Sequence, residues 1–369
     1  MNKILILGGY GNFGQRIATA LIKKNIPVII AGRDHDKAEA FLQRVKQRFP
    51  DCSIEIAIFD IHQTFSHQLE ILKPAIVIHT VGPFQTANYS VAEICIRHKV
   101  HYIDLADGRD YVTNITSLKK PALENEVLVV SGASTVPGLS AAVIEHYKNA
   151  FSSIDSLVYG ISPGQKSSRG LATTRGVLTY LGKPLKPAAG STIKRFGWQN
   201  VYRQEYPELG KRWMANCDVP DLDLFPDKYG IKHIHFSAGM ETGVLHLGIW
   251  FFSYLVRCGL PLNLPRHAEA LLRFSTLFDF LGTNTGGMHM LLTGKDLHGK
   301  PLAIKWFILA KNGDGLQIPC VPAIILAKKL FLGTLSERGA IPCMGIITLE
   351  EYMDELKEFS ITQTTEMRP

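Results

Sequence analysis

MNKILILGGYGNFGQRIATALIKK, residues 1–24, runs four apolar residues, Ile4 to Leu7, straight into Gly8-Gly9-Tyr10-Gly11-Asn12-Phe13-Gly14. After the glycines, Ile17, Ala18, Leu21 and Ile22 recur at helical spacing. The pattern is a short buried strand, a tight turn and an amphipathic helix. A G-x-G-x-x-G string alone means little, because 32 glycines produce near matches by chance. Between a strand and a helix it gains meaning. Gly9 allows the turn, Gly11 lets the backbone approach a pyrophosphate, and Gly14 lets helix and strand pack closely, with Gly8 opening the string. The helix start then offers N–H groups and a positive dipole end to phosphates. The competing reading is a glycine turn without a ligand.

The next segments repeat this unit. Pro27 to Ala31, Ser53 to Phe59, Ala75 to Val81, His101 to Leu105 and Val127 to Ser131 read as buried strands, separated by helices. Asp36 and Glu39 suggest a capping box for the second helix. Six strands with intervening helices predict an α/β fold built on a Rossmann-type open parallel sheet. Ligands of such sheets sit beyond the carboxyl ends of the strands.

The residues there choose the cofactor. An NAD site carries an acid after the second strand, about 20 residues past the glycines. Here Gly32 is followed by Arg33, and a guanidinium bonds a 2′-phosphate that a carboxylate would repel. NADP is therefore preferred to NAD, although Asp34 lies next to Arg33 and could pass for the NAD acid. Asp60, after the third strand, is placed either to accept from the adenine amino group or to serve as a turn residue. Gly82-Pro83-Phe84, after the fourth, offers a stiff wall near the nicotinamide ribose, or a plain turn.

The glycine string with Ala31-Gly32-Arg33, then HTVGPFQ from His79 to Gln85, HYIDLADGRDYV and VVSGASTVPGLS, is similar to the saccharopine dehydrogenase family of NADP-binding oxidoreductases. The likeness covers nearly all of residues 1–145. It continues in RGLATTRGVL, ELGKRW, CDVPDLDLFP, GGMHM and IPCVPAIILA, where it is closest to the family's bacterial branch. The resemblance implies a Rossmann NADP-binding domain over 1–150, an inserted α+β substrate domain over 151–315, and a segment 316–369 returning to the first domain. It also implies that Gly9, Gly11, Asn12, Phe13, Gly14, Arg33 and Gly82 to Phe84 surround the cofactor. Some relatives oxidise or reduce the C–N bond joining an amino acid to an aldehyde-derived carbon; others are separate enoyl reductases.

From Ile154 the pattern changes. SIDSLVYGIS, TIKRFGWQNVYRQEY with its alternation, Lys232 to Ala238, and GMHMLLTGKDLHGKPLAIKWFILA read as strands, the last as two joined by a turn at Asp296 to Gly299. An antiparallel sheet carrying helices at 243–257 and 264–281 is expected, and Thr348 to Glu351 is a capping box for a final helix. Asp107 and Arg109 follow the fifth strand, on the edge where ligands collect, and Asp107 is a candidate catalytic group. Arg169 and Arg175 flank a predicted helix start and could grip a substrate carboxylate, with Arg175 the catalytic candidate. Each also reads as a surface ion pair or cap. His246 and His289 sit among apolar neighbours as core histidines. Ser134 and Ser140 lie in no nucleophile elbow, which argues against a hydrolase.

The 369-residue chain is 46% hydrophobic, enough for about two cores. Its formal charge of +7 is spread along the chain without interleaved aromatics, so an anionic small molecule explains it better than nucleic acid. Six cysteines with no C-x-x-C or metal spacing fit reduced thiols in a cytoplasm and signal no zinc. The leading residues do not read as an export signal. The apolar run 243–257 meets Arg257 short of a membrane span, and a buried helix is expected there rather than one touching lipid. A homodimer is the default oligomer. Three functions remain open: hydride transfer at a C–N bond, enoyl reduction of an apolar or carrier-bound acyl substrate, and non-catalytic NADP binding tied to a lipid surface or partner.

Overall fold

The computed structural model describes residues 3–368, which divide into two compact units. The first joins residues up to Ala142 with Gln317–Glu355, and the second joins Val143–Leu316 with Leu356 onward.

In the first unit, β1 (Ile4–Leu7), β2 (Val28–Gly32), β3 (Ile54–Ile58), β4 (Ile76–His79), β5 (His101–Asp104) and β6 (Leu128–Ser131) form a parallel sheet. A seventh strand, Gly339–Pro342, pairs parallel with β6, so the order is Gly339–Pro342, β6, β5, β4, β1, β2, β3. This reversal at β1 is the doubly wound arrangement, with its crevice between β1 and β4. β1, β4 and β6 are buried at every residue, because helices cover both faces of a parallel sheet. The seventh strand escapes sequence reading: Gly339-Ala-Ile-Pro342 is too short to show a period.

The second helix starts differently from expectation. Asp34, rather than Asp36, is its N-cap, accepting from the Lys37 N–H at 3.1 Å. Asp34 has extended backbone, which a cap needs, whereas Asp36 already lies inside the helix. At the other end of the chain the Thr348 box forms: Thr348 N–H donates to Glu351 Oε2 at 3.0 Å, and Glu351 N–H to Thr348 Oγ1 at 3.2 Å.

The second unit holds a seven-stranded sheet in the order Tyr202–Tyr206, Gly210–Asn216, His233–Met240, Phe151–Ser162, Gly286–Asp296, Pro301–Ala310, Ile361–Arg368. It is mixed rather than antiparallel: His233–Met240 runs parallel to Phe151–Ser162, after a crossover that contains two helices. Segment 316–369 does not stay together either. Ile361–Arg368 leaves the first unit and pairs antiparallel with Pro301–Ala310, exposing its polar residues as the edge of this sheet.

The apolar run forms the helix Gly243–Arg257, but only Leu245, His246 and Ser253 are buried. The expectation of a buried helix is corrected. Val244, Leu247, Trp250, Phe251, Phe252 and Tyr254 all face outward. A helix apolar all round has no readable inner face, and here the layer around Leu178, Trp198, Ala215, Leu264 and Ala268 packs against only part of its surface, including Ile249 and Val256. Among the described residues no helix is long and apolar enough to cross a membrane.

Candidate NADP site

The glycine string divides its labour differently from the sequence reading. Gly8, not Gly9, takes the left-handed conformation, at φ +74°, and so makes the turn. A Cβ on Gly9 would stand 2.7 Å from Ile30 Cβ, so Gly9 is needed for packing on β2. A Cβ on Gly14 would lie 2.2 Å from the Gly8 carbonyl oxygen, so only glycine lets the first helix approach the turn. Gly11 meets nothing but that same oxygen, at 3.1 Å, leaving space beyond it. The helix Gly14–Lys23 that follows Asn12 and Phe13 has no side-chain cap and no acid in its first turn. Its positive end is left to an external anion, and a pyrophosphate fits this cradle.

At the end of β2, a Cβ on Gly32 would strike the Tyr10 ring, whose hydroxyl accepts from the Asp34 N–H at 2.8 Å. Tyr10 thus closes the turn and leaves the next side chain outside. Arg33 is 80% exposed, with only a loose 4.0 Å approach to Asp60 Oδ2. Asp34 is occupied by Lys37, whose ammonium and N–H hold its carboxyl below the usual range, so it is a cap and not a ribose ligand. Asp60 Oδ1 accepts from the His62 N–H at 2.9 Å, the turn role weighed for it. Of these groups Arg33 is the most exposed cation and its one ion pair among the described residues is the loose 4.0 Å approach to Asp60, so its guanidinium can turn to a 2′-phosphate.

The loop after β4 is bound to its neighbours. Thr80 Oγ1 donates to the Leu7 carbonyl at 2.8 Å, tying the ends of β1 and β4. Gly82 and Pro83 lead to Phe84, which is buried edge-on to His79, with ring centroids 5.1 Å apart. Gly108 lacks the Cβ that would press within 3.0 Å of the Phe84 carbonyl, so the loops after β4 and β5 come together there. In that contact Gln85 Nε2 donates to Asp107 Oδ1 at 3.0 Å. Burial raises the Asp107 carboxyl above its ordinary pKa, opposed by the Gln85 bond. Arg109, two residues on, is only 4% exposed. Arg169 and Arg175 belong to the second unit. Arg169 is ion-paired with Asp279, which also accepts from Gln165 Nε2 at 3.0 Å, whereas Arg175 is exposed on the helix Leu171–Tyr180.

Sequence reasoning missed Asp104, which ends β5. Its Oδ1 accepts from the Ala106 N–H at 3.0 Å, and from Ser131 Oγ and the Gly132 N–H at 2.9 Å each, clamping β5 to β6. Burial raises its pKa to about 6 despite these bonds. The one signal was an aspartate closing the apolar HYIDL. A raised carboxyl contributes stability that is complete below pH 3.8 and lost as pH rises through about 6, on the order of 3 kcal/mol. Asp104→Asn keeps the acceptor and removes the charge. Its stability at pH 8, measured by urea unfolding, is expected to equal or exceed wild type. Asp104→Ala, which strands three buried donors, is expected to lose about 2–4 kcal/mol.

The second unit holds further polar groups, of which the sequence announced His246 and His289 but not Arg212, Glu241 or Tyr206. Arg212, 5% exposed, lies 3.2 Å from Glu241 Oε1, and Glu241 accepts from the N–H groups of Gln165 and Thr283. Burial works against the Glu241 charge, but those N–H bonds and Arg212 hold its pKa low. Tyr206 Oη bonds His289 Nδ1 at 2.9 Å. His289 and His246 are buried, burial lowering their pKa to about 3 and about 4, as neutral core rings. Among the described residues no cluster of His, Cys, Asp or Glu could hold a metal ion.

Residues 4–138 match the family described as saccharopine dehydrogenase NADP binding domain. Compared with curated proteins, the sequence matches none. Among solved structures, the chain is similar to the apo saccharopine dehydrogenase (L-Glu forming) of Saccharomyces cerevisiae. They share 14% identity and a TM-score of 0.65, with 99% of this chain and 100% of that one covered, a likeness of fold. An amine dehydrogenase from Mycobacterium smegmatis is more distant, at 10% identity and a TM-score of 0.48 over 93% of this chain and 94% of that one. The glycine cradle and the outward Arg33 both lie within residues 4–138, the part of the chain that matches the saccharopine dehydrogenase NADP binding domain.

Proposed function

We propose that the protein transfers a hydride between NADP and the C–N bond of a small metabolite, an imine in one direction and a secondary amine in the other. One observation carries the reading: Asp107, a carboxyl with a raised pKa, fixed by Gln85 in the loops beyond β4 and β5. NADPH, when bound, supplies the hydride. The chain must do the rest. Gly8 to Gly14 and Arg33 bind the phosphates, and Gly82 to Phe84 form a wall. As hydride reaches the imine carbon, Asp107 gives its proton to the nitrogen; in the reverse direction the carboxylate takes that proton from the amine. A buried carboxyl whose pKa is raised holds its proton more readily than an ordinary aspartate and can still give it up, which suits both directions, and the similarity to a saccharopine dehydrogenase supports a C–N substrate.

Arg175 is exposed and has no ion-pair partner among the described residues, so it is the better carboxylate anchor; Arg169 is committed to Asp279. Arg175→Ala is expected to raise KM for an amino-acid substrate about tenfold with kcat little changed, the loss of one charged hydrogen-bonding partner. NADPH consumption with amino acid plus aldehyde, followed by absorbance, tests the assignment. The outward apolar side of the Gly243–Arg257 helix favours a second reading, reduction of an enoyl group on an apolar or carrier-bound chain. Turnover of enoyl thioesters without turnover of amines would establish that reading in place of the first.

A further inference from the structure

The second unit carries an apolar surface that its own fold does not use. Of the 20 large hydrophobic side chains exposed in the described chain, 12 fall between Val244 and Leu281. On the helix Gly243–Arg257 they include Trp250, Phe251 and Tyr254. Beyond the following turn come Leu260 and Leu262, then Phe274 on the helix Ala268–Thr276 and Leu277 and Phe280 just after it. Phe280 is 76% exposed. A clustered surface of this kind marks an interaction site.

The charges around it choose the occupant. Between residues 243 and 281 the cations are Arg257, Arg266 and Arg273, with His267 beside them, and the two acids are already ion-paired, Glu269 with Arg273 and Asp279 with Arg169. The adjoining stretch 156–204 has eight Lys and Arg and no Asp or Glu. Lys183 follows Gly182, whose missing Cβ would lie 2.2 Å from the Ser253 carbonyl oxygen, so this cation borders the apolar helix. Arg257 stacks over Phe196, 4.1 Å from the ring centroid. A two-fold contact between copies would set arginine against arginine, with the two acids of the face already ion-paired. An anionic lipid surface takes both parts, aromatic and leucyl side chains entering the headgroup boundary and arginines meeting phosphates. The turn Gly259-Leu-Pro-Leu262, exposed and apolar where surface turns are ordinarily polar, fits such partial insertion.

We infer that the 243–281 face seats the protein peripherally on a membrane bearing anionic lipid. The test is flotation of the full chain with phosphatidylcholine vesicles, with and without phosphatidylglycerol, at low and high salt. The expected result is flotation that requires phosphatidylglycerol and weakens with salt. Phe251→Glu with Leu277→Glu should lower partitioning about tenfold or more, and Arg266→Gln should lower it several-fold. NADPH fluorescence titration of each variant should remain unchanged, showing that the fold is intact. Equal flotation with the neutral vesicles overturns the anionic-lipid assignment. Failure to float, with light scattering showing a dimer that Phe251→Glu dissociates, overturns it in favour of a second copy. Failure to float as a monomer overturns it outright.

Discussion

Asp107→Asn is expected to lower kcat by about a hundredfold to ten-thousandfold, the range for removing a positioned proton donor or acceptor. NADPH affinity should hardly change. An amide can still receive the Gln85 Nε2–H bond that now reaches Asp107 Oδ1 at 3.0 Å, so the loop contact at Gly108 survives and only the exchangeable proton is lost. Burial raises the Asp107 pKa, so the wild-type group is protonated over a wider range than an ordinary aspartate. Imine reduction should therefore fall as pH rises through that raised value, and amine oxidation should rise over the same window. Paired kcat–pH profiles of wild type and Asp107→Asn check this. A variant that keeps wild-type kcat and pH profile removes Asp107 from the chemistry while leaving the cofactor assignment intact.

Arg33→Ala is expected to weaken NADPH about tenfold to a hundredfold and to leave NADH nearly unchanged. The upper value is reached only if the 2′-phosphate shields the guanidinium, which is 80% exposed without it. Asp60 approaches Arg33 only at 4.0 Å, so little is lost when the arginine turns to a phosphate. Arg33→Asp should go further and reverse the preference, because a carboxylate accepts from the free ribose hydroxyl and repels its phosphate ester. Isothermal titration of both cofactors against both variants measures the ratio; tighter binding of NADH by wild type would refute the role given to Arg33.

The legible part of the fold was the part with a period. Buried runs such as ILIL and VIIA, with helices between them, could hardly be anything but a parallel sheet covered on both faces, and the glycines between β1 and the first helix marked the turn at which a dinucleotide is expected. The capping box at Thr348 was equally local, two hydrogen bonds within four residues. Signals of that kind depend on neighbours in the chain. The assignment of the turn to Gly9 failed for a spatial reason, since what constrains Gly9 is Ile30 on the adjoining strand.

Composition and spacing determined the class of the protein and its cofactor and pointed to Arg33 as the residue to test for the choice between NADP and NAD, because each follows from a strand, its turn and the residue that comes next. Tertiary structure alone decided the rest. It joined Gly339–Pro342 to β6 and Ile361–Arg368 to Pro301–Ala310, brought the donors of Ser131 and Gly132 onto Asp104, and turned Trp250 and Phe251 outward from a helix expected to be buried. Each of these depends on partners more than twenty residues away, and a helix apolar on every side acquires an inner face only when something packs against it.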